Sequence, residues 1–250
     1  MSSLLAVKDS SALARQQFES AYQIFYDRVQ KEQLMCAIYE CFDEPGGLDH
    51  NCLGCNFDDI TEWILNFLRT CKDSSSPYRP EQSFGIYALL LNLLWERISG
   101  VFDIVGVPDS YRVRHFGAFI RVRRWANFFK HPKAFALIVH HPVYTFEGSP
   151  HSASFSDDSL YLRVDDEFVK KYYASENAKG LTSQFERHQN TVVVVLPELE
   201  QLTTAICASL EKFVKTITES MVYREILDEK STLVDYFSAL DDTPSPYSED

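Results

Sequence analysis

Apolar side chains recur along most of the chain at steps of three and four, the spacing of a helix that buries one face. Phe18, Tyr22, Phe25/Tyr26, Val29 and Gln33/Leu34 keep that step and predict one long helix from Ser11 to Phe42. Ser10 or Ser11 serves as its N-cap, and Pro45-Gly46-Gly47 stops it. A second helix, Ile60 to Cys71, starts at Asp58 or Asp59 and sets Trp63, Ile64, Phe67 and Leu68 on one side. Ser74-Ser75-Ser76-Pro77 and Pro80 break it. The third helix, from about Glu81 to Phe102, is apolar nearly all round between Tyr87 and Trp95, the pattern of a helix at the centre of a bundle. Pro108-Asp109-Ser110 then provides a stop and a cap, and a basic helix runs on towards Lys130. It ends at His131, because Pro132 disfavours helical backbone in the residue before it.

The period changes after Lys133. Phe135 to Phe146, Ser159 to Val164 and Thr191 to Leu196 are rich in Val, Ile, Leu and Tyr and predict a small three-stranded sheet, with Lys170 to Gln189 as a helical or irregular link. Pro197 suits the first turn of a last long helix, whose stripe of Leu199, Leu202, Ile206, Leu210, Phe213, Ile217, Met221 and Ile226 reaches about Asp228. The expected fold is mainly α, a bundle of about five helices with a strand-rich insertion. Residues 1–229 form a single helical domain, 134–196 being the strand-containing insertion. Residues 230–250 form a short amphipathic segment, with Leu233, Tyr236, Phe237 and Leu240 at helical spacing, and an acidic disordered tail.

Composition supports a packed core: 45% of the 250 residues are hydrophobic and 14% aromatic, with only 9 Gly and 10 Pro. Neither a secretory signal nor the ~18 uninterrupted apolar residues of a membrane span is seen, which leads to the expectation of a soluble cytoplasmic protein with reduced cysteines. The net charge of −12 argues against a surface coated for nucleic acid. Yet the charge is uneven. Ser110 to Phe146 holds seven Lys/Arg and no acid, while the other residues hold 17 basic against 36 acidic side chains. Such an island focuses an anionic ligand onto one place.

On a helical wheel, Phe119, Val122, Trp125, Ala126 and Phe129 fall within an arc of about 120°, and Arg124, Asn127 and His131 lie together on the other side within roughly 60°. Arg121 and Arg114 lie beside them. These residue types suit phosphodiester chemistry. Arginine presents a permanently charged planar fork for phosphate, histidine exchanges protons near neutral pH, and asparagine adds donors without repelling the anion. No metal or other cofactor is required when a ribose 2′-hydroxyl is the nucleophile.

The Arg124-Trp-Ala-Asn-Phe-Phe-Lys-His131 segment resembles the Arg-x(4–6)-His motif of HEPN domains, an all-helical family that includes metal-independent ribonucleases of toxin–antitoxin and phage-defence systems. The resemblance covers about Leu89 to Pro132 and Pro197 to Asp228. It implies an RNA substrate and a homodimer in which two motifs meet. It also implies Arg124 as the phosphate-stabilising group, His131 as acid/base and Asn127 as a polar positioning group. Arg114, Arg121, Lys130 and Lys133 would supply further substrate-binding cations. Many family members carry a polar residue directly after the arginine, whereas this chain has Trp125. A purely structural reading of the same residues has Arg124 paired with an acid of a neighbouring helix and His131 capping its own helix end.

Cys52-Leu-Gly-Cys55, with Cys41 and Cys36 upstream, offers four soft ligands within twenty residues. A structural zinc, a redox CxxC pair and incidental thiols all remain open at this spacing. His140 and His141 point to opposite faces if they lie on a strand, so they do not share a metal. No Gly-rich phosphate loop, Gly-x-Ser-x-Gly elbow or His-Glu-x-x-His is present, which excludes the nucleotide hydrolases, elbow hydrolases and zinc proteases that depend on them. Two functions stand: an endoribonuclease, or a non-catalytic helical module. The module would bind a partner protein or nucleic acid through the basic helix, the last long helix and the Leu233–Leu240 segment.

Overall fold

Among the described elements, the first helix and the last lie against each other. In the computed structural model, which describes residues 2–30, 53–70, 80–130, 144–146, 162–174, 192–223 and 225, α1 (Ser2–Phe25) runs into a π-helical turn (Tyr26–Gln30). It is followed by α2 (Leu53–Thr70), α3 (Pro80–Ile104), α4 (Asp109–His115) and α5 (Gly117–Phe129). Strands β1 (Tyr144–Phe146) and β2 (Leu162–Val164), helix α6 (Asp166–Ala174), strand β3 (Val192–Leu196) and helix α7 (Leu199–Glu219) complete the order. α1 packs on α7 and α2, α3 on α2 and α5, and α5 in turn on α6 and α7. The protein is mainly α, with a small strand-containing region inside the helical sequence, as the pattern predicts.

Aromatic rings supply most of the joints. Phe25, Phe57 and Phe213 tie α1, α2 and α7 together, with ring centroids 4.9 to 6.1 Å apart. Phe102 extends this group to Phe116 at 5.0 Å, and Trp95 stacks on Phe119 at 5.3 Å. Phe84, Trp125 and Phe129 make a second group between α3 and α5. A fully buried Phe contributes about 1.5–3 kcal/mol, whereas an exposed ion pair gives under about 1 kcal/mol, so the rings hold the bundle. Gly85 of α3 faces Phe129 of α5. A methyl group at position 85 would lie 3.1 Å from Phe129 Cδ1, so the absent side chain sets the helix spacing. A polar link also lies in this interior: the buried Tyr87 and Thr203 hydroxyls are 2.7 Å apart, and Thr203 also donates to the Leu199 carbonyl.

β1, β3 and β2 form a parallel sheet in that order, with Tyr144 opposite Val194 and Leu162 opposite Val192. Parallel neighbours need a crossover rather than a hairpin, and α6 lies on the connection from β2 to β3. All three strands fall inside the span 134–196.

Several local expectations change. α1 begins at Ser2 and passes straight through Ser10 and Ser11, because nothing from Leu4 onward breaks a helix and serine at mid-helix costs little. α2 starts at Leu53, ahead of Asp58 and Asp59. Its buried face is Phe57, Ile60, Thr61, Ile64, Phe67 and Leu68, which leaves Trp63 53% exposed, one step off the stripe. α3 ends in a left-handed Gly106 (φ 74°), with the Val107 N–H donating to the Phe102 carbonyl at 2.8 Å. α4 then starts at Asp109, and its N-cap, Pro108, provides no side-chain cap. α7 begins after Pro197, with Glu198 as its N-cap. It stops at Glu219, because Ser220 is extended (φ −89°, ψ 110°), and Met221, expected on the buried stripe, is 77% exposed. The second half of the first predicted helix, Ile226 and the Leu233–Leu240 segment lie outside the described residues.

Candidate functional site

The basic segment is two helices rather than one. Phe116, fully buried, takes a non-helical conformation (φ −120°, ψ 35°) between α4 and α5, and its N–H closes α4 on the Arg112 carbonyl at 2.9 Å. Burying Phe116 against Phe102 and Trp95 turns the chain, and Gly117 starts the next helix. Arg114 therefore stands on α4 and not in line with Arg124. α5 ends at Phe129, where the Lys130 N–H bonds the Ala126 carbonyl at 3.0 Å, so the helix stops short of His131.

Within α5 the wheel holds. Phe119, Val122, Trp125, Ala126 and Phe129 are all buried, joined by Phe128, which narrows the polar face. On that face Arg121, Arg124 and Asn127 are half-buried, while Arg123 and Lys130 are exposed. A cleft of about 320 Å³ opens between α5 and α6, lined by Arg121, Arg124, Asp166, Glu167, Val169 and Lys170.

The α6 side of this cleft is built by three consecutive acids at the end of β2. Asp165 caps α6, its Oδ1 accepting from the N–H groups of Glu167 at 3.1 Å and Phe168 at 3.0 Å. Asp165 Oδ2 also pairs with Arg163 Nε at 2.9 Å. Asp166 reaches across to α5, where one oxygen accepts from Trp125 Nε1 at 2.5 Å and the other pairs with the Arg121 guanidinium. Glu167 pairs with Lys171 at 3.3 Å. Each acid thus has a cation or donor of its own. Arg124 and Lys170 face the cleft with no ion pair among the described residues, so its residual charge is positive.

This arrangement answers for Trp125. Its ring is fully buried among Phe84, Phe128 and Phe129, and its one polar hydrogen is used by Asp166. The arginine joined to a neighbouring helix is Arg121 and not Arg124. Arg121, read as a substrate-binding cation, is half of this latch. Arg112 is also engaged internally. It donates from Nε and Nη2 to the Val107 carbonyl at 3.0 and 2.8 Å, pairs with Asp103 at 2.6 Å, and lies 5.6 Å from the Phe102 ring centroid. Two of the seven cations in the basic stretch are therefore structural.

The structure brings Arg121 and Arg124 into one cleft, with Asn127 one turn beyond and outside the lining. Arg114 is exposed on α4, and Lys130 is exposed at the end of α5. His131 and Lys133 lie outside the described residues, as do Cys36, Cys41 and Cys52. Cys55 is in the first turn of α2, with its side chain outside the description. The free, buried Cys207 has its thiol pushed up to about 12 by burial and by the Glu211 carboxylate, which keeps it protonated and unreactive. Sequence reading missed Asp166, Glu167 and Lys170. The run Asp165-Asp166-Glu167 directly after a strand was a usable sign of a capped helix start, though not of what it would face. Among the described residues, no helix is long and apolar enough to cross a membrane. No protein-family model, curated protein or solved structure matches the chain.

Proposed function

We propose that the protein is a metal-independent endoribonuclease of HEPN type, working as a homodimer in phage defence or a toxin–antitoxin system. The observation that supports this reading best is the residual charge of the α5–α6 cleft. Its acids are already paired, and Arg124 and Lys170 face it without ion pairs among the described residues. Arg124 would hold a scissile phosphate and stabilise the charge that grows on it. His131, just beyond the end of α5, would take the proton from the 2′-hydroxyl. The 2′-oxygen then attacks phosphorus and the 5′-oxygen leaves with the proton that His131 returns as acid, giving a 2′,3′-cyclic phosphate and a 5′-hydroxyl. A second copy supplies the other half of the site.

The test is cleavage of single-stranded RNA in excess chelator, with end-group analysis, for the parent, Arg124→Ala and His131→Ala. We expect cyclic-phosphate ends from the parent and at least a hundredfold loss in each variant at unchanged melting temperature. A parent that cleaves nothing, requires Mg²⁺ or releases 5′-phosphates would overturn the reading. A second reading, a non-catalytic module that binds a partner, is favoured by the exposed Met221 and Val222 (77% and 61%) beside the end of α7. Sedimentation separates the two, since a monomer without cleavage fits only the module. Deleting Ser231 to Asp250 should then abolish partner binding while leaving the domain folded.

A further inference from the structure

A second groove in the described structure lies away from this cleft and shares no lining residue with it. It runs between α4 and the last turns of α7, has a volume of about 590 Å³, and includes Pro108, Tyr111, Lys212, Lys215, Thr216 and Tyr223 in its walls. That size is within the ~300–1,000 Å³ usual for sites of small organic ligands. Its α7 wall follows from sequence spacing. Lys212, Lys215, Thr216 and Glu219 recur at three- and four-residue steps on α7, away from the buried Phe213 and Ile217 stripe, and Tyr223 joins the wall beyond the extended Ser220.

We propose that this groove is a second anion site, selective for a phosphate monoester carried on an aromatic ring. Two kinds of group meet there. The first is cationic: Lys212 and Lys215 make no ion pair among the described residues, and Arg114 and His115 stand beside them on α4. Lys212 Nζ lies 6.0 Å from the centroid of the Tyr111 ring, and the His115 ring lies 4.3 Å from it on the same helix. The positive field is felt by His115, whose imidazole is held below its ordinary range by burial, then by Lys212 and Arg114. The second is aromatic: Tyr111 and Tyr223 both line the groove, and Tyr111 is fixed by its hydroxyl, 3.3 Å from Thr216 Oγ1. Thr216 Oγ1 in turn donates to the Lys212 carbonyl at 2.8 Å.

Two acids also line the groove, and their positions matter. Glu211 acts on Cys207, one turn back along α7, and Glu219 stands about one turn beyond Lys215. Tyr111, Lys212 and Lys215 line the same groove, with Lys212 beside the Tyr111 ring. A dianion gains more there than a monoanion, and the flanking rings favour an aryl group over bare phosphate.

The experiment titrates the full chain with phenyl phosphate, inorganic phosphate and phenol separately, by calorimetry and by NMR of His115. Phenyl phosphate should saturate with a Kd below about 1 mM. The other two should bind at least tenfold more weakly, and the His115 pKa should rise on saturation, because a nearby anion favours imidazolium. Lys212→Gln with Lys215→Gln should weaken binding tenfold or more without lowering the melting temperature. Lys215→Gln alone, at an exposed position, reads the same effect if the double variant folds poorly. No saturable binding, equal affinity for inorganic and phenyl phosphate, or lysine variants that bind like the parent would each overturn the proposal. Arg124→Ala should leave this binding unchanged, so its outcome is separate from that of the ribonuclease test.

Discussion

Arg112 and Arg124 belong to the same acid-free stretch, twelve residues apart, and the fold gives them opposite tasks. Around Arg112 the chain brings Asp103, a backbone carbonyl and an aromatic face, and the side chain is only 11% exposed. Around Arg124 it brings acids that already have partners, so that guanidinium keeps its charge for something outside the described fold. A positive island in a sequence is therefore a supply of cations, and the tertiary structure decides which remain available. An ionised group lined with fixed acceptors acts as a structural member, and one facing a cleft of satisfied acids is left available.

Substitutions can break this contrast, beginning at Arg112. Arg112→Ala should destabilise the protein by about 3 kcal/mol, since it removes several charge-assisted bonds and leaves the buried Val107 carbonyl without its donors. Chemical denaturation measures this, and a loss under about 1 kcal/mol would mean that the Arg112 network is decorative. Asp166→Ala should cost about 2 kcal/mol, mostly from an indole N–H left buried without an acceptor, because the half-exposed Arg121 pair adds little. Asp166→Asn keeps an acceptor oxygen and should recover more than half of that loss. If both variants cost the same, the ion pair outweighs the indole bond. Arg124→Ala should change stability by no more than about 0.5 kcal/mol, the range for a surface position without engaged partners. A cost near that of Arg112 would erase the distinction between the two arginines.

The smallest effect concerns pH. His115 is held below its ordinary pKa, about 6.5. The unfolded chain therefore takes up this proton first as pH falls. This group contributes a stability that is complete above about pH 6.5 and declines below it, until the folded imidazole also titrates. His115→Gln should flatten that slope in melting temperature against pH. A slope unchanged between pH 7 and 5 would show that other groups govern it.

The contrast also marks what could be read from the chain alone. The core arc of α5 was legible, since five aligned apolar positions leave a helix only one way to face. The parallel strands were legible as three apolar runs, but not their direction, which depends on the crossover through α6. The break at Phe116 escaped because its ring fits the helical period, and only packing against Phe102 and Trp95 shows the turn; Gly117 was the one local sign. Trp63 fits the spacing of Ile64, Phe67 and Leu68, although Phe57, Ile60, Ile64 and Phe67 define a stripe that passes it by. The pairing of Trp125 and Arg121 with Asp166 spans more than forty residues and has no local signature. For that reason the candidate site was seen as a row of cations, without its opposite wall.

Asp165 and Asp166 divide their work between neighbours: the first starts its own helix and the second receives the hydrogen of a tryptophan inside the bundle. The β2–α6 corner is therefore no detachable ornament. A shortened chain that closed the bundle without it would strand the Trp125 N–H in an apolar interior. Such a chain would be more stable with a side chain at position 125 that carries no polar hydrogen, such as Phe.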